Sequence, residues 1–280
     1  MGIVQAYDRP MSSPTSNPNA GAARKPPTAR QVEVLHVHRL SPSMIRVTFT
    51  GDALEGFEWR GPAGHLKLTV PEEGSHEAPM PAPDGPRSPY MRTYTPRRFD
   101  AALRELDVDL VLHDEGPAGK WALRAQKGDR LIVMGPAPGY KIDAGAQWLV
   151  LAGDETALPA IETILEELPS NVRAKVYVEV TNHREARPLQ SAASIEVRWL
   201  SRGEDFREAG QPLEAALRAS GPLPAGPGRI YVGCEAGAMR RIRDYFVKER
   251  GVERNTLVTR GYWKLGAANP SDRDFGDEPA

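Results

Sequence analysis

The sequence has almost no cysteine and no long apolar run, and these two absences exclude several classes of protein. Its 280 residues contain one cysteine, Cys234, which excludes an intrachain disulfide and argues against a cysteine-ligated iron–sulfur cluster. No apolar stretch approaches the roughly 20 residues of a membrane-spanning helix, and the N-terminus lacks the apolar core of a signal peptide. We therefore expect a cytoplasmic protein without stable membrane insertion.

Net charge is also nearly absent. Lys and Arg number 36 and Asp and Glu number 37, so the formal net charge is −1. A general electrostatic affinity for nucleic acid is therefore not expected, although a local basic pocket is compatible with this balance. With 40% hydrophobic residues, the chain can bury a large core, and its length favours two domains over one.

The N-terminal half has the pattern of a small all-β domain. Residues 1–30 are rich in Pro, Ser, Asn, Ala and Gly, a composition that predicts a disordered tail. Over residues 31–143, short segments such as Met44–Thr50 alternate apolar and polar side chains, which is typical of half-buried strands. The pattern predicts an antiparallel six-stranded β-barrel with a single helix.

The pattern changes at about residue 144. Trp148–Ala152 is a continuous apolar run, as expected for a strand covered on both faces, and a helix with apolar residues at three- and four-residue spacing follows it. Strand and helix patterns then alternate up to residue 266, which predicts an open, mostly parallel α/β nucleotide-binding-like domain with its crevice at the carboxyl ends of the strands. Residues 267–280 are predicted to be a flexible tail.

Two short motifs in the barrel have the side chains of a nucleotide site. Residues 92–97 read Arg-Thr-Tyr-Thr-Pro-Arg, which combines cations for phosphate, a ring that can stack on a flavin, and hydroxyls for polar ring edges. The alternative is an exposed strand with scattered arginines. Residues 116–119 read Gly-Pro-Ala-Gly and open a short helix, whose exposed N–H groups attract anions.

A barrel followed by a nucleotide-type domain is the layout of the ferredoxin-reductase flavoenzymes. Within that superfamily, four blocks of this chain resemble the siderophore-interacting proteins, which are bacterial flavin-dependent ferric-siderophore reductases. The blocks occupy residues 92–97, 113–122, 153–160 and 261–264. No single block is specific to the family, but all four occur in the family's order and spacing across the foldable chain, from about residue 31 to residue 266.

The resemblance implies a bound FAD. Arg92 would pair with the pyrophosphate, Tyr94 would stack on the isoalloxazine, and Thr95 would hydrogen-bond near the redox-active ring nitrogen. Trp121 either borders the adenine or anchors the helix in the core, and His113 is either a cofactor contact or a structural hydrogen-bonding residue. The implied FAD-binding set is Arg92, Thr93, Tyr94, Thr95, Arg97, His113, Gly116, Pro117, Ala118, Trp121, Ala122, Asp154, Thr156 and Ala157.

The third block leaves the electron donor open. Ordinary pyridine-nucleotide domains place glycines at this turn, whereas here Asp154 and Glu155 follow the glycine and should repel a pyrophosphate. The same carboxylates are also favourable at a helix start. The donor is therefore NADH, NADPH or a ferredoxin. Arg184 and Arg187 either meet a 2′-phosphate or belong to a solvated loop.

The end of the chain is expected to contact the substrate. Ferric siderophores are frequently anionic, and the family is known for basic residues beside the flavin, so Lys67 and Lys264 are predicted to bind them; each could equally be a surface charge. Tyr262 and Trp263 either close over the flavin or pack the last strand. Cys234 either touches the nicotinamide site or is a buried inert thiol.

The predicted activity is an FAD-dependent reduction of ferric siderophores that releases Fe(II). Because the cofactor carries the electrons, no catalytic side chain is expected, and no protein metal site is expected since the iron arrives inside its chelator. A monomer is expected. The alternatives are a general flavin or NAD(P)H reductase for another acceptor and a non-enzymatic carrier of flavin or siderophore.

Overall fold

The computed structural model describes residues 28–82, 85–114, 116–203 and 208–267. Apart from residues 28–30 and 267, both predicted tails lie outside the described residues. The described chain forms two sheets, one of seven strands and one of five. Among the described residues, no helix is long and apolar enough to cross a membrane, and no group of three or more His, Cys, Asp or Glu side chains could hold a metal ion.

The first sheet is antiparallel and has the strand order β4-β3-β7-β1-β2-β6-β5. Its edge strands β4 and β5 follow one another in the chain, so the sheet curls like a barrel, but no described hydrogen-bond ladder closes it. Its elements are β1 (Ala29–Ser41), β2 (Met44–Thr50), β3 (His65–Thr69), β4 (Met91–Tyr94), β5 (Pro96–Asp100), β6 (Glu105–Val111), α1 (Gly116–Arg124) and β7 (Arg130–Ala137).

Seven strands replace the predicted six because the stretch 92–97 is two strands rather than one. Thr95 stands between β4 and β5, and Pro96 has no N–H with which to continue the ladder of β4. The chain therefore changes partner here, so that β4 pairs with β3 and β5 pairs with β6. Thr95 is consequently held between the two edges of the sheet.

Trp121 anchors α1 in the core of this domain. Its side chain is 1% exposed, its ring stacks on Phe49 at a centroid distance of 6.5 Å, and its indole N–H donates to Asp129 at 3.0 Å. These contacts support the core role of Trp121. Because Trp121 also lines a cavity at the start of α1, a contact with the adenine stays a prediction. The predicted polar face of β6 is also buried, since Arg46 pairs with Asp109 at 2.7 Å.

The second sheet is parallel and has the strand order β10-β9-β8-β11-β12. Every residue of β8 is buried, because α2 covers one face of the sheet and α3 and α4 cover the other. The elements are β8 (Trp148–Asp154), α2 (Leu158–Glu167), β9 (Arg173–Val180), β10 (Ser194–Ser201), α3 (Gln211–Arg218), β11 (Gly228–Glu235), α4 (Ala236–Asp244), a π-helical turn (Tyr245–Glu249) and β12 (Leu257–Trp263).

The strand order reverses between β8 and β11, which is the switch point where open α/β sheets bind ligands. Strands β9 and β10 lie on one side of this point and β12 lies on the other. The carboxyl end of β12 also faces the first domain, because Tyr262 and Arg260 border the same cavity as residues of β3 and β4. The fold thus places the end of the chain against the motif at residues 92–97.

Candidate functional site

A cavity of about 310 Å³ lies between the two domains, and we call it the interdomain cavity. The first domain contributes the end of β4 and the face of β3 that points away from the core. The second domain contributes alternate residues of β12. The lining residues are Ala63, His65, Lys67, Thr93, Tyr94, Thr95, Pro138, Gly139, Tyr140, Tyr231, Val258, Arg260, Gly261 and Tyr262.

Four tyrosines form much of the wall of this cavity. The hydroxyls of Tyr231 and Tyr262 are hydrogen-bonded at 2.8 Å, and the ring of Tyr140 meets that of Tyr231 edge-on at 5.7 Å. Burial raises the pKa of Tyr94 to about 12 and the pKa of Tyr140 to about 12. All these phenols are therefore neutral near pH 7 and can both donate and accept hydrogen bonds.

Thr95 connects the two walls. Its side chain is buried and lies close enough to the Tyr262 hydroxyl, across the domain boundary, to favour the ionised form and so oppose the burial that raises the pKa of Tyr262. Gly233 allows the Tyr262 ring to lie here, since a Cβ on this glycine would come within 2.7 Å of the ring. Tyr262 is thus a wall residue, whereas Trp263 turns away and donates its indole N–H to Asp154 at 2.8 Å.

The charged side chains of the cavity are cationic. Lys67 and Arg260 line it, and none of its lining residues is Asp or Glu. The ammonium of Lys67 donates to the Thr93 hydroxyl at 2.7 Å. Lys264 is not among the lining residues, so the structure brings only one of the two predicted lysines to this cavity; a substrate contact of Lys264 stays a prediction.

Arg260 was missed by the sequence analysis, as were Tyr140 and Tyr231. A usable signal existed for Arg260, because residues two apart on a strand share a face. Val258, Arg260 and Tyr262 all line the cavity, so the predicted role of Tyr262 implied a position for Arg260. No comparable signal marks Tyr140, which lies on the connection between the domains.

A second cavity, of about 530 Å³, lies at the start of α1, and we call it the helix-start cavity. It and the interdomain cavity border opposite ends of β4, which spans roughly 13 Å for four residues. An elongated ligand lying along β4 would therefore reach both. The lining residues of the helix-start cavity are Pro71, Glu73, Pro89, Tyr90, Gly116, Pro117, Lys120, Trp121, Leu123 and Arg124.

Arg92 lies between these cavities without a carboxylate partner among the described residues. Its guanidinium is half-buried and donates to the carbonyls of Pro89 at 2.7 Å and Met91 at 2.8 Å. Burial lowers the pKa of Arg92 because no neighbouring acid offsets the loss of solvation. A bound anion would supply that compensation.

Arg97, from the same motif, has a different environment. It donates to Glu162 at 3.1 Å and to Glu166 at 2.9 Å, and both glutamates belong to α2. Its charge is therefore compensated within the protein, whereas that of Arg92 is not. The flavin contact expected of Arg97 stays a prediction.

The predicted anion site at the start of α1 depends on close packing around its glycines. Gly116 has φ +70°, and a Cβ on Gly119 would come within 2.5 Å of the His113 carbonyl oxygen. His113 therefore packs against the helix start and lines neither cavity. Ala118 and Ala122 lie in the barrel core, so only their backbones could contact a cofactor.

The acidic turn is bonded internally at the start of α2. Asp154 accepts from the backbone N–H of Thr156 at 3.0 Å and of Glu235 at 3.1 Å. Glu155 pairs with Arg202. Burial and the neighbouring charge of Glu155 raise the pKa of Asp154. These contacts give the two carboxylates a structural role in the turn before α2, although the helix itself has no side-chain cap. Ala157 is wholly buried beside them. Flavin contacts of Asp154, Thr156 and Ala157 stay predictions.

The structure shows the surroundings of Arg184, Arg187 and Cys234. Arg187 is bonded to Glu162 at 3.0 Å, so it is neither a solvated loop residue nor a free cation for a 2′-phosphate, whereas Arg184 is exposed. Cys234 is fully buried, and this burial raises the pKa of its thiol. The inert-thiol interpretation of Cys234 is the one that its environment supports.

Comparison with known proteins agrees with this architecture. The family model described as "Siderophore-interacting FAD-binding domain" matches residues 33–140, and the model described as "Siderophore-interacting protein" matches residues 146–266. The ferric vibriobactin reductase of Vibrio cholerae is 32% identical, covering 85% of this chain and 90% of that protein. The NADPH-dependent ferric-chelate reductase of Escherichia coli is 30% identical, covering 84% of this chain and 92% of that protein.

Solved structures show the same arrangement of domains. A siderophore utilization protein from T. fusca superimposes with a TM-score of 0.77 at 37% identity, covering 89% of this chain and 97% of that chain. Phthalate dioxygenase reductase, at 12% identity and a TM-score of 0.57, shares the fold. The chain therefore belongs to the siderophore-interacting protein family, a group of FAD-dependent oxidoreductases with the ferredoxin-reductase fold.

Proposed function

We propose that this protein reduces ferric siderophores, passing electrons from NADH or NADPH through bound FAD to Fe(III) and releasing Fe(II). The observation that carries the proposal is the interdomain cavity, which has Lys67 and Arg260 in its lining, has no lining carboxylate, and adjoins the flavin motif on β4. An anionic ferric chelate is complementary to such a cavity. Two relatives named as ferric-chelate and ferric-siderophore reductases support the same activity.

The residues on either side of β4 fit an FAD. The half-buried guanidinium of Arg92, which has no carboxylate partner among the described residues, donates to Pro89, and Pro89 lines the helix-start cavity together with Lys120 and Arg124. These cations and the backbone N–H groups at the start of α1 suit a pyrophosphate. Thr95 and Tyr94 stand at the other end of the strand, where the ring system would lie. Bound FAD supplies the redox chemistry, since it accepts two electrons from a hydride donor and passes them on singly.

The protein's own contribution is orientation and electrostatics. Lys67 and Arg260 place two positive charges in the lining, and these attract an anionic chelate at short range. The described residues offer iron no cluster of ligands. We propose that the iron remains in its chelator until reduction weakens its bonds to hard oxygen ligands.

The donor site has features that oppose tight dinucleotide binding. Two helix starts in the second domain carry protein carboxylates, with Glu179 bonded to Leu213 N–H at 3.0 Å at α3 and Glu235 bonded to Ala238 N–H at 2.8 Å at α4. The turn before α2 carries a third carboxylate, that of Asp154. These positions are where phosphates commonly bind. We propose that NADH or NADPH binds weakly, that a ferredoxin is the alternative donor, and that the protein acts in the cytoplasm.

An anaerobic experiment tests the proposal directly. The flavin of the purified protein is photoreduced, and ferric catecholate, hydroxamate and carboxylate siderophores are added separately with a chromogenic Fe(II) trap. We expect flavin reoxidation together with two trapped Fe(II) per flavin, fastest with anionic complexes. No reoxidation by any of the complexes would refute the proposed reductase activity.

The same measurements separate the alternatives. A general flavin reductase would oxidise NAD(P)H rapidly with dyes or free flavin, and ferric siderophores would add nothing to its turnover. A carrier would retain an oxidised flavin in the presence of NADH, NADPH and reduced ferredoxin alike. Either result would replace the proposed function.

A further inference from the structure

Four charged side chains form a compact group at the domain boundary, and we call it the Glu162 cluster. Glu162 is 6% exposed, and its two carboxylate oxygens accept from Arg97 at 3.1 Å and from Arg187 at 3.0 Å. Arg97 also pairs with Glu166. The arginine side chains are 14% and 17% exposed. Two cations and two anions therefore balance here, with Glu162 buried and Glu166 at the solvent-facing edge.

The cluster joins the domains at β5, whose first two residues, Pro96 and Arg97, end the motif at residues 92–97. Arg97 lies on β5 of the first domain, whereas Glu162 and Glu166 lie on α2 of the second. Next to Glu162 on α2, the hydroxyl of Thr163 accepts from the backbone N–H of Ala63 at 2.9 Å. Ala63 itself lines the interdomain cavity. The helix α2 is thus fastened to two segments of the first domain that border the cavity.

The other end of α2 is fastened to the opposite wall. The turn before the helix holds Trp263 through Asp154 at 2.8 Å, and Trp263 directly follows the wall residue Tyr262 on β12. The turn leads directly into α2, in which Glu162 is the fifth residue. The helix therefore connects Arg97, two residues beyond Thr95, with Trp263, one residue beyond Tyr262.

We infer that Arg97 and Glu162 are positioning residues of the interdomain cavity: through α2 they set the spacing between the flavin-side wall at Thr95 and the substrate-side wall at Arg260 and Tyr262. Arg97 is then an interdomain contact and not an FAD ligand. The kinetic part of this inference rests on the proposed reductase function. The assignment of Arg97 does not, because it concerns cofactor affinity alone.

The contrast between the two arginines of the motif supports this assignment. Arg92 has no carboxylate partner among the described residues, so a bound anion would relieve its desolvation. Arg97 already has two, so a pyrophosphate would have to compete with Glu162 and Glu166 for it. A buried ion pair also has a defined geometry, since two hydrogen-bonded planar groups tolerate little displacement. That property suits a residue that fixes one wall relative to another.

The test compares Arg97→Gln, Glu162→Gln and Arg97→Lys with two reference variants. Arg92→Gln shows the loss of a flavin contact. Arg98→Gln is the matched neutral control, because Arg98 is adjacent in sequence and its described ion pairs, with Asp100, Glu105 and Asp107, all lie within the first domain. Three readouts are needed: the Kd of the apoprotein for FAD, the visible circular dichroism of bound flavin, and the rate at which saturating ferric catecholate reoxidises photoreduced flavin.

We expect Arg97→Gln and Glu162→Gln to keep the Kd for FAD within about threefold of the wild-type value, whereas Arg92→Gln raises it about tenfold or more. The two cluster variants should slow limiting reoxidation at least about tenfold, since small displacements of reacting groups have effects of that size. Their flavin circular dichroism should change as the tyrosine wall moves. Arg97→Lys keeps the charge and should recover part of the rate, and Arg98→Gln should match the wild type in all three.

Several outcomes would overturn the inference. If Arg97→Gln raised the Kd for FAD as much as Arg92→Gln does, Arg97 would be a flavin ligand. If the cluster variants kept both wild-type circular dichroism and wild-type rates, the cluster would only support folding. If wild-type flavin were not reoxidised by any ferric chelate, the proposed function would fail, whereas the Kd and circular dichroism would still decide the role of Arg97. Should the glutamine variants not fold, Arg97→Lys carries the same comparisons.

Discussion

The carboxylate of Asp154 accepts a hydrogen bond from the indole N–H of Trp263 at 2.8 Å. Asp154 is the last residue of β8 and Trp263 is the last residue of β12. Strand β11 lies between these two strands in the sheet. Asp154 additionally accepts from Glu235 N–H at 3.1 Å, at the end of β11 itself. One buried side chain therefore ties together the carboxyl ends of three strands at the switch point of the domain.

Removing this acceptor should destabilise the protein strongly. We expect Asp154→Ala to lower the free energy of unfolding by about 3 kcal/mol, because it leaves several buried donors without an acceptor. Trp263→Phe should cost only about 1 kcal/mol, since Asp154 keeps its bonds to Thr156 and Glu235. Urea unfolding followed by far-UV circular dichroism measures both changes.

The matched control is Asp52→Asn. The Asp52 side chain is 93% exposed and pairs with Arg104 at the surface, so the substitution should change the unfolding free energy by less than about 0.5 kcal/mol. A loss in Asp154→Ala no larger than that of the control would show that the turn tolerates the missing carboxylate.

Arg92 should be needed for cofactor affinity but not for folding. We expect Arg92→Met to weaken FAD binding by about 2 kcal/mol, the usual scale of a hydrogen bond to a charged group. Stability of the apoprotein should be unchanged or slightly higher, because a desolvated cation is removed from a place without a compensating carboxylate. Fluorescence titration with FAD and urea unfolding of the apoprotein check the two parts. A parallel loss of affinity and apoprotein stability would contradict this view of Arg92.

Lys67 should discriminate substrates by charge. We expect Lys67→Ala to raise the Kd of anionic ferric catecholates about tenfold, or about 1.4 kcal/mol, with a much smaller effect on neutral ferric hydroxamates. The difference should shrink as salt is added, because salt screens charges that solvent can reach. Lys264→Ala is the matched comparison, and its effect should be smaller because Lys264 does not line the cavity. Equal losses for both siderophore classes would contradict the electrostatic role.

The tyrosine wall should be visible in an alkaline titration. Burial raises the pKa of Tyr94 and that of Tyr140 to about 12, above the ordinary value of about 10. A raised folded-state pKa contributes stability that is fully present below pH 10 and is lost as the pH rises through 12. Phenolate absorbance at 295 nm should therefore show a late fraction that decreases in Tyr94→Phe and in Tyr140→Phe. If all tyrosines of the folded protein titrated near pH 10, the prediction of a late phenolate fraction would be wrong.

The sequence predicted the element types well because their patterns are local. Alternation identified β2 with its observed limits, Met44–Thr50, and the apolar run at Trp148–Ala152 lies within the buried strand β8. Alternation did not reveal that residues 92–97 belong to two strands, β4 and β5, which pair with different neighbours. Strand pairing is a property of distant segments, so an uninterrupted polar motif could not reveal the change of partner at Thr95.

The candidate site was predicted in part for the same reason. The sequence indicated four site residues that the fold brings to one cavity: Lys67, Tyr94, Thr95 and Tyr262. Lys264, adjacent to the last block, does not reach that cavity, and Arg260 does. Which residues of a strand face a cavity depends on how the sheet is oriented against the neighbouring domain.

By itself, the sequence determined the two-domain layout, the flavin-binding character of the motif at residues 92–97, and the buried or exposed face of most strands, because these follow from local periodicity and residue chemistry. Only the tertiary structure decided which charges are compensated. Arg92 and Arg97 are equivalent in the sequence, but α2 carries two glutamates to Arg97 and none to Arg92. The role of each arginine depends on its charged partners, and those of Arg97 come from the second domain.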